Sequence, residues 1–93
     1  MTGTQVKKDI TALKKSKDWK VLKISVSIGE EEENEFDVNV NVYFYDRWNN
    51  DEFECFTETM EDEKKAVAKA KRLATTLANN GYKATYAGFE DRI

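Results

Sequence analysis

Carboxylates are the chemically capable side chains that this chain has in greatest number, and they crowd its middle third. Residues 30–63 contain fourteen aspartates and glutamates and a single cation, Arg47. A carboxyl group can act as a general acid or base, but this work needs an apolar pocket in which its pKa rises. Here the carboxylates stand in hydrophilic runs beside one another. The pattern therefore favours a charged surface and argues against an enzyme.

The other residue types on which catalysis and metal binding depend are scarce. The chain has 93 residues, no histidine and one cysteine, which excludes histidine catalysis, an internal disulfide and multi-cysteine metal sites. A calcium loop needs alternating oxygen ligands around a central glycine, and the oxygen-rich segment 46–54 has neither feature. The four glycines are not clustered into a phosphate loop. We predict no catalytic residue, no metal site and no cofactor, and we interpret Cys55 as a small buried apolar side chain.

The net charge of −3 hides a strong segregation of charge along the chain. Residues 1–29 carry a net +5, residues 30–63 a net −13 and residues 64–93 a net +5. A field of this strength in the middle segment attracts basic surfaces and repels phosphate backbones. No apolar run approaches the length of a membrane span, and the first residues lack the apolar core of a signal peptide. We therefore expect a cytoplasmic protein with no membrane association.

Two segments have the apolar spacing of amphipathic helices. Val6, Ile10 and Leu13 form one stripe of a predicted helix over residues 4–16. A second helix is predicted to begin after Thr59 as its N-cap and to end at Asn80 and the following glycine. Its apolar stripe consists of Val67, Ala70, Leu73, Ala74 and Leu77.

Alternating apolar and polar residues predict the strands between and after these helices. Three strands are predicted from this period, at residues 20–29, 36–45 and 52–59. Short polar connections join them at residues 30–34 and 46–51, which predicts an antiparallel meander. A short last strand follows over residues 82–86. Its pairing, with the first or the third strand, stays open at this point.

These elements predict one α+β domain over residues 1–93, in the order α-β-β-β-α-β. Two helical stripes and one apolar sheet face fit together as a two-layer sandwich, in which both helices cover the same face of the antiparallel three-strand meander. The side chains expected under the helices are Ile24, Val26, Phe36, Val38, Val40, Val42, Phe44 and Phe53. The opposite face of the sheet then has no cover from this chain.

The uncovered face is the predicted binding surface. Strand alternation places on it Trp19, Val21, Asn39, Asn41, Tyr43, Tyr45, Glu52, Glu54, Phe56 and Glu58. Tyrosine and tryptophan dominate protein interfaces, and nearby carboxylates select a basic partner. The predicted partner-binding residues are the anchors Tyr43, Tyr45, Trp48 and Phe56 and the acids Glu30, Glu31, Glu32, Glu33, Asp51, Glu52, Glu54 and Glu58. The alternative is that the aromatic residues only stabilise the sheet as cross-strand neighbours and that residues 30–33 form a solvated loop.

The organisation of the chain resembles that of anti-CRISPR proteins, small proteins encoded by phages and mobile elements. The matching features are the lysine-flanked helix at residues 4–16, the meander at residues 20–59 and the acidic strips at residues 30–37 and 51–58. The resemblance implies a stoichiometric inhibitor that presents carboxylates where phosphates would lie in a nuclease groove. We therefore predict a non-enzymatic protein-binding domain that blocks a basic, nucleic-acid-binding site on a partner protein.

The order of elements also resembles that of the double-stranded RNA-binding domain. The resemblance covers about residues 4–78 and includes the lysine-rich run Lys64-Lys65-Ala66-Val67-Ala68-Lys69-Ala70. It implies an RNA-binding module that uses Lys64, Lys65, Lys69, Lys71 and Arg72. Acids at residues 61–63 would repel phosphates at the start of that helix, so RNA binding is the second hypothesis. Self-association as a homodimer through the uncovered aromatic face is the third.

Overall fold

The computed structural model describes residues 1–90, which form two helices and one four-stranded sheet. The helices are α1 (Gly3–Lys17) and α2 (Glu63–Asn79). The strands are β1 (Lys20–Glu32), β2 (Glu35–Tyr45), β3 (Asp51–Met60) and β4 (Ala84–Phe89). The predicted α+β class and the order α-β-β-β-α-β are confirmed.

The sheet has the strand order β3-β2-β1-β4. The first three strands form the predicted antiparallel meander, whereas β4 pairs in parallel with β1, so the last strand joins the first and not the third. Between β3 and β4 the chain crosses from one edge of the sheet to the other through α2. This helix consequently contacts all four strands.

The core lies between the helices and the inward face of β1 and β2. Every second residue of β2 is buried, and α1 contributes Val6 and Ile10 to the same core. Small side chains on α2 allow this helix to lie close to the sheet. The buried apolar residues are Val6, Ile10, Ile24, Val26, Ile28, Phe36, Val38, Val40, Val42, Phe44, Ala66, Ala70, Leu73, Ala74 and Leu77.

The start of α2 differs from the prediction. Asp62 is the N-cap, and its carboxylate accepts a hydrogen bond from the backbone N–H of Lys65 at 3.0 Å. Thr59, the predicted cap, lies inside β3 and donates its hydroxyl to Asp37 at 2.6 Å. The strand continues past Thr59 because the next residue, Met60, packs against the core.

The first hairpin is longer than predicted. Residues 30–32 belong to β1 and pair with the start of β2, which leaves a two-residue turn of Glu33 and Asn34. Asn34 adopts φ 63°, a left-handed conformation that asparagine tolerates better than most residues. The acids predicted to form a loop therefore extend a strand.

The side chains of β3 point the opposite way from the prediction. Residues directly paired across two strands share a face, and the buried Phe44 pairs with Glu52. Phe56 and Met60 accordingly pack against the core, while Phe53 lies on the uncovered face and is 51 % exposed. β3 has apolar residues at both odd and even positions, so their alternation does not show which side of the strand faces the core. The length of the connection from β2 sets the pairing of the two strands, and this pairing fixes the side that faces the core.

Trp19 and Val21 also lie on the side opposite to the prediction. The Trp19 ring packs against Phe44 with 5.1 Å between ring centroids, and Val21 pairs with the same phenylalanine. A bulge between Val21 and Lys23 shifts the alternation of β1 by one residue. Leu22, at the bulge, is 38 % exposed as a result.

Candidate functional site

The middle of the uncovered sheet face is a network of polar side chains bonded to one another. Asn41 donates its side-chain amide to Ser27 Oγ at 2.9 Å, and Ser27 donates to Glu90 at 2.5 Å. Thr57 donates to Asn39 Oδ1 at 2.8 Å, and the amide of Asn39 donates to Glu90 at 3.3 Å. These side-chain hydrogen bonds join β1, β2 and β3 to one another and to Glu90, the residue after β4.

Cys55 lies on this face and not in the core as predicted. Its thiol is half-buried, with Sγ 3.5 Å from Thr57 Oγ1 and 3.9 Å from Asn39 Oδ1. The reversed orientation of β3 is the reason.

The exposed apolar side chains gather at one end of the sheet, where β1 begins and β2 turns into β3. Trp48 is 72 % exposed, Phe53 51 % and Leu22 38 %. The Tyr43 and Phe53 rings lie beside each other with 5.2 Å between centroids. We call Leu22, Tyr43, Tyr45, Trp48 and Phe53 the aromatic end. A groove of about 470 Å³ runs through it, lined by Leu22, Lys23, Tyr43, Phe44, Tyr45, Asp51, Glu52 and Phe53.

Cations lie over two rings of the aromatic end. Lys23 Nζ is 5.1 Å from the Tyr43 ring centroid, and the Arg47 guanidinium is 5.0 Å from that of Trp48. Both distances fall within the range of cation–π attraction. One face of each ring is therefore occupied by a cation of the same chain.

The turn that carries Trp48 is held by Asp46. Asp46 Oδ1 accepts the backbone N–H groups of Trp48 and Asn50, both at 2.8 Å, and Oδ2 accepts the Asn50 side chain at 3.2 Å. The bond from the Asn50 backbone is the main reason why the pKa of Asp46 is lowered. Asn49 completes the turn at φ 62°. The turn thus presents Trp48 in a defined position although its ring is mostly in solvent.

The predicted binding residues do not form a single surface. Tyr43, Tyr45 and Asp51 line the groove of the aromatic end, and Trp48 lies in the adjoining turn between β2 and β3. The run Glu30, Glu31, Glu32 and Glu33 lies at the far end of the same hairpin, about 30 Å away at the usual rise per strand residue. A continuous strand therefore separates these glutamates from the aromatic anchors.

The other β3 members of the predicted site lie on the helix-covered side of the sheet: Glu52, Glu54, Phe56 and Glu58. Phe56 is half-buried against the core. Glu58 accepts a hydrogen bond from Lys69, the main cause that lowers its pKa, and forms a 2.5 Å ion pair with the Met1 ammonium. Glu52 and Glu54 are half-exposed at the sheet edge and enter no hydrogen bond or ion pair with the described residues. Glu58 joins β3 to α2 and to the first residue of the chain, whereas the carboxylates of Glu52 and Glu54 are accessible to solvent.

The helix layer and the sheet layer carry charge of opposite sign. α1 contains five lysines and one acid, Asp9, and α2 contains four lysines and Arg72 against Glu63. β2 and β3 together contain six carboxylates and no cation. Of the cations proposed to contact RNA, Lys69 is bound to Glu58. The exposed ones are Lys64, Lys65, Lys71 and Arg72.

Sequence reasoning missed two members of the aromatic end, Leu22 and Phe53. Pairing β2 with β3 outward from their connection would have found Phe53, because the partner of Tyr43 is then fixed. No comparable signal marks the bulge at Leu22.

Neither helix within residues 1–90 is long and apolar enough to cross a bilayer, and no three metal-ligating side chains there are grouped to hold an ion. Comparison of the chain with protein-family models, curated proteins and solved structures finds no match.

Proposed function

We propose that this chain is a protein-binding domain that acts by occupying a site on a partner protein, with the aromatic end as its anchor. The observation that carries the proposal is the collection of Leu22, Trp48 and Phe53 at one end of an uncovered sheet face. Contiguous exposed apolar groups mark interaction sites, and buried tryptophan and tyrosine supply much of the binding energy at interfaces. The polar network beside them would form the rim of such an interface.

The charge around the groove supports a partner with cationic side chains. Asp51 and Glu52 line the groove, and its one lining cation, Lys23 of β1, lies over the Tyr43 ring. A lysine or arginine of the partner could pair with one of these carboxylates while an adjacent apolar side chain of the partner packs against a ring of the groove. The most concrete form of the proposal is an inhibitor of the anti-defence type that covers the basic, nucleic-acid-binding site of an effector protein.

The titration of the carboxylates supports action by binding. Hydrogen bonds lower the pKa values of Asp46 and Glu58. Both are thereby held as carboxylates, whereas a general acid requires a raised pKa. Their roles are to shape the turn of Trp48 and to join β3 to α2.

Affinity capture from nuclease-treated host lysate tests the proposal, with three versions of the protein side by side. The wild type should retain one protein in a stoichiometric complex, and the double variant Trp48→Ala with Phe53→Ala should lose it. The matched control is Lys64→Ala with Lys71→Ala on the helix layer, which should retain it. The proposal fails if both double variants capture the same protein equally well.

RNA binding through the helix layer is the second candidate function. The observation that favours it is the same-signed charge of Lys64, Lys65 and Arg72 on the exposed side of α2, for which residues 1–90 supply no ion-pair partner. If nucleic acid is recovered from untreated lysate and is lost only by the Lys64→Ala and Lys71→Ala variant, this candidate replaces the first. Its affinity should also fall steeply with added salt.

A further inference from the structure

The two edges of the sheet differ in how well they are protected. β4 is six residues long, has a register shift opposite Val26 and Ser27, and contains Gly88 at φ 77°. β3 is ten residues long and pairs with β2 over its full length without a bulge. Long, regular edge strands invite pairing with another strand unless proline, charged side chains or a bulge interrupts them. β3 has no proline and no bulge, and its charged side chains are all carboxylates.

The outward backbone groups of β3 belong to its odd-numbered residues. Asp46 donates its N–H to Asn50 O at 3.0 Å in the turn, and bonded pairs alternate with non-bonded pairs along the antiparallel ladder. Because Asp46 and Asn50 form a bonded pair, every second pair after it is also bonded. The backbone N–H and C=O groups of the even-numbered residues of β3 therefore point toward β2. The N–H and C=O groups of Asp51, Phe53, Cys55, Thr57 and Thr59 therefore face away from the sheet. No other described residue hydrogen-bonds to them through its backbone.

The side chains of this edge disfavour a second copy of the chain. Glu52, Glu54 and Glu58 share one side of the strand. In any antiparallel pairing of two β3 strands that overlaps at least eight of their ten residues, a glutamate lies directly opposite another glutamate. Like charges in directly opposed positions destabilise a sheet.

The same pattern fits a cationic strand. We propose that the free edge of β3 accepts an extended segment in which cationic and apolar residues alternate, and that this segment adds to the sheet as a fifth strand. Its lysines or arginines lie opposite Glu52 and Glu54, whose carboxylates have no other partner among the described residues. Its apolar side chains lie on the uncovered face beside Phe53. Strand addition of this kind takes its affinity from main-chain hydrogen bonds and its specificity from alternate side chains.

This inference goes beyond the proposed function and does not depend on it. It rests on the backbone of β3 and on two carboxylates, whereas the anchor of the proposed function is a set of rings. Trp48→Ala should therefore leave strand addition unchanged.

A capped ten-residue peptide that alternates lysine and valine is the probe. Its affinity for the full chain is measured by NMR titration, together with amide hydrogen exchange of Phe53, Cys55 and Thr57. The control peptide has the same composition in two blocks, five lysines followed by five valines. We expect the alternating peptide to bind roughly tenfold more tightly than the block peptide and to slow exchange at these three amides. Equal affinities, or unchanged exchange, would overturn the proposal.

Two matched substitutions separate the backbone from the side chain. Thr57→Pro removes an outward N–H without removing a ladder bond to β2, whereas Thr57→Val loses the same hydroxyl and keeps the N–H. The proline variant should bind the alternating peptide roughly tenfold more weakly than the valine variant. Equal binding by the two would overturn the proposal. If the proline variant does not fold, Glu54→Lys takes its place, and undiminished binding by that variant is the contradicting result.

Discussion

The carboxylate of Glu58 connects three parts of the chain at a single point. It receives the Met1 ammonium, which precedes α1, and the Lys69 ammonium from α2, while its own backbone belongs to β3. Its side chain is 27 % exposed, so water screens these contacts only in part. An ion pair in this setting contributes about 1 kcal/mol to stability.

Replacing this carboxylate should destabilise the protein in a manner that depends on pH. The native pKa of Glu58 lies below its usual 4.5, so between the two values the unfolded chain binds more protons than the native one. The stabilisation is therefore complete above about pH 4.5 and is lost as the pH falls through the native pKa. Glu58→Gln should lower the free energy of unfolding by about 1 kcal/mol at pH 7 and should match the wild type in strong acid. Urea denaturation at several pH values measures this.

The control for this prediction is Glu54→Gln. Glu54 lies four residues before Glu58 on the same side of β3. Glu54 has no partner among the described residues, so its replacement should change stability by less than about 0.5 kcal/mol. Equal losses from the two substitutions would show that Glu58 acts through general charge and not through its two contacts.

At the scale of elements, the orientation of β3 decides which of its two phenylalanines supports the fold. Phe56 packs against the core, whereas half of Phe53 is in solvent. Phe56→Ala should lower the free energy of unfolding by about 2 kcal/mol, and Phe53→Ala by less than about 1 kcal/mol. Chemical denaturation of the two variants, which remove the same atoms from the same strand, gives the comparison. The reverse order would contradict the register between β2 and β3.

The same strand shows what sequence alone can predict about this fold. β2 was predicted with its correct inward residues because its apolar and polar residues alternate strictly from Phe36 to Phe44. β3 was not, because Phe53 and Phe56 have opposite parity and only the pairing with β2 distinguishes them. Thr59 was a reasonable N-cap by residue type, and the burial of Met60 overrode that preference.

The candidate site was predictable only in part for the same reasons. Tyr43, Tyr45 and Trp48 follow directly from β2 and its turn, and the structure places the two tyrosines in one groove with Trp48 in the adjoining turn. Leu22 depends on a bulge, which leaves no mark in the local pattern. The long first hairpin, which carries residues 30–33 away from the rings, depends on pairing between two strands.

At the scale of the whole molecule, β4 completes a sheet that would otherwise have two long open edges. It covers the edge of β1, and Tyr86 and Phe89 pack against the core that α2 forms with the other strands. The pairing of β4 with β1 joins residues about sixty positions apart in the chain. Since α2 contacts all four strands, it depends on the complete sheet for its packing.

A chain that ends at Lys83 should therefore lose its cooperative unfolding transition and expose apolar surface. Thermal unfolding followed by circular dichroism, with binding of a hydrophobic dye, measures both effects. A synthetic peptide of residues 82–90 should restore the transition when it is added to the shortened chain. An unchanged transition in the shortened chain without the peptide would contradict this role of β4.

The opposite charges of the helices and of β2 and β3 give the molecule a permanent electric dipole between the helices and the β3 edge of the sheet. Five lysines in α1 and five cations in α2 face six carboxylates in β2 and β3, although the whole chain carries only −3. A dipole of this kind orients a protein as it approaches a charged object, within the roughly 10 Å over which salt leaves the field unscreened. A polyanion therefore meets the helices first and a polycation meets the β3 edge first, so these two parts of the protein are presented to different classes of neighbour before any contact is made.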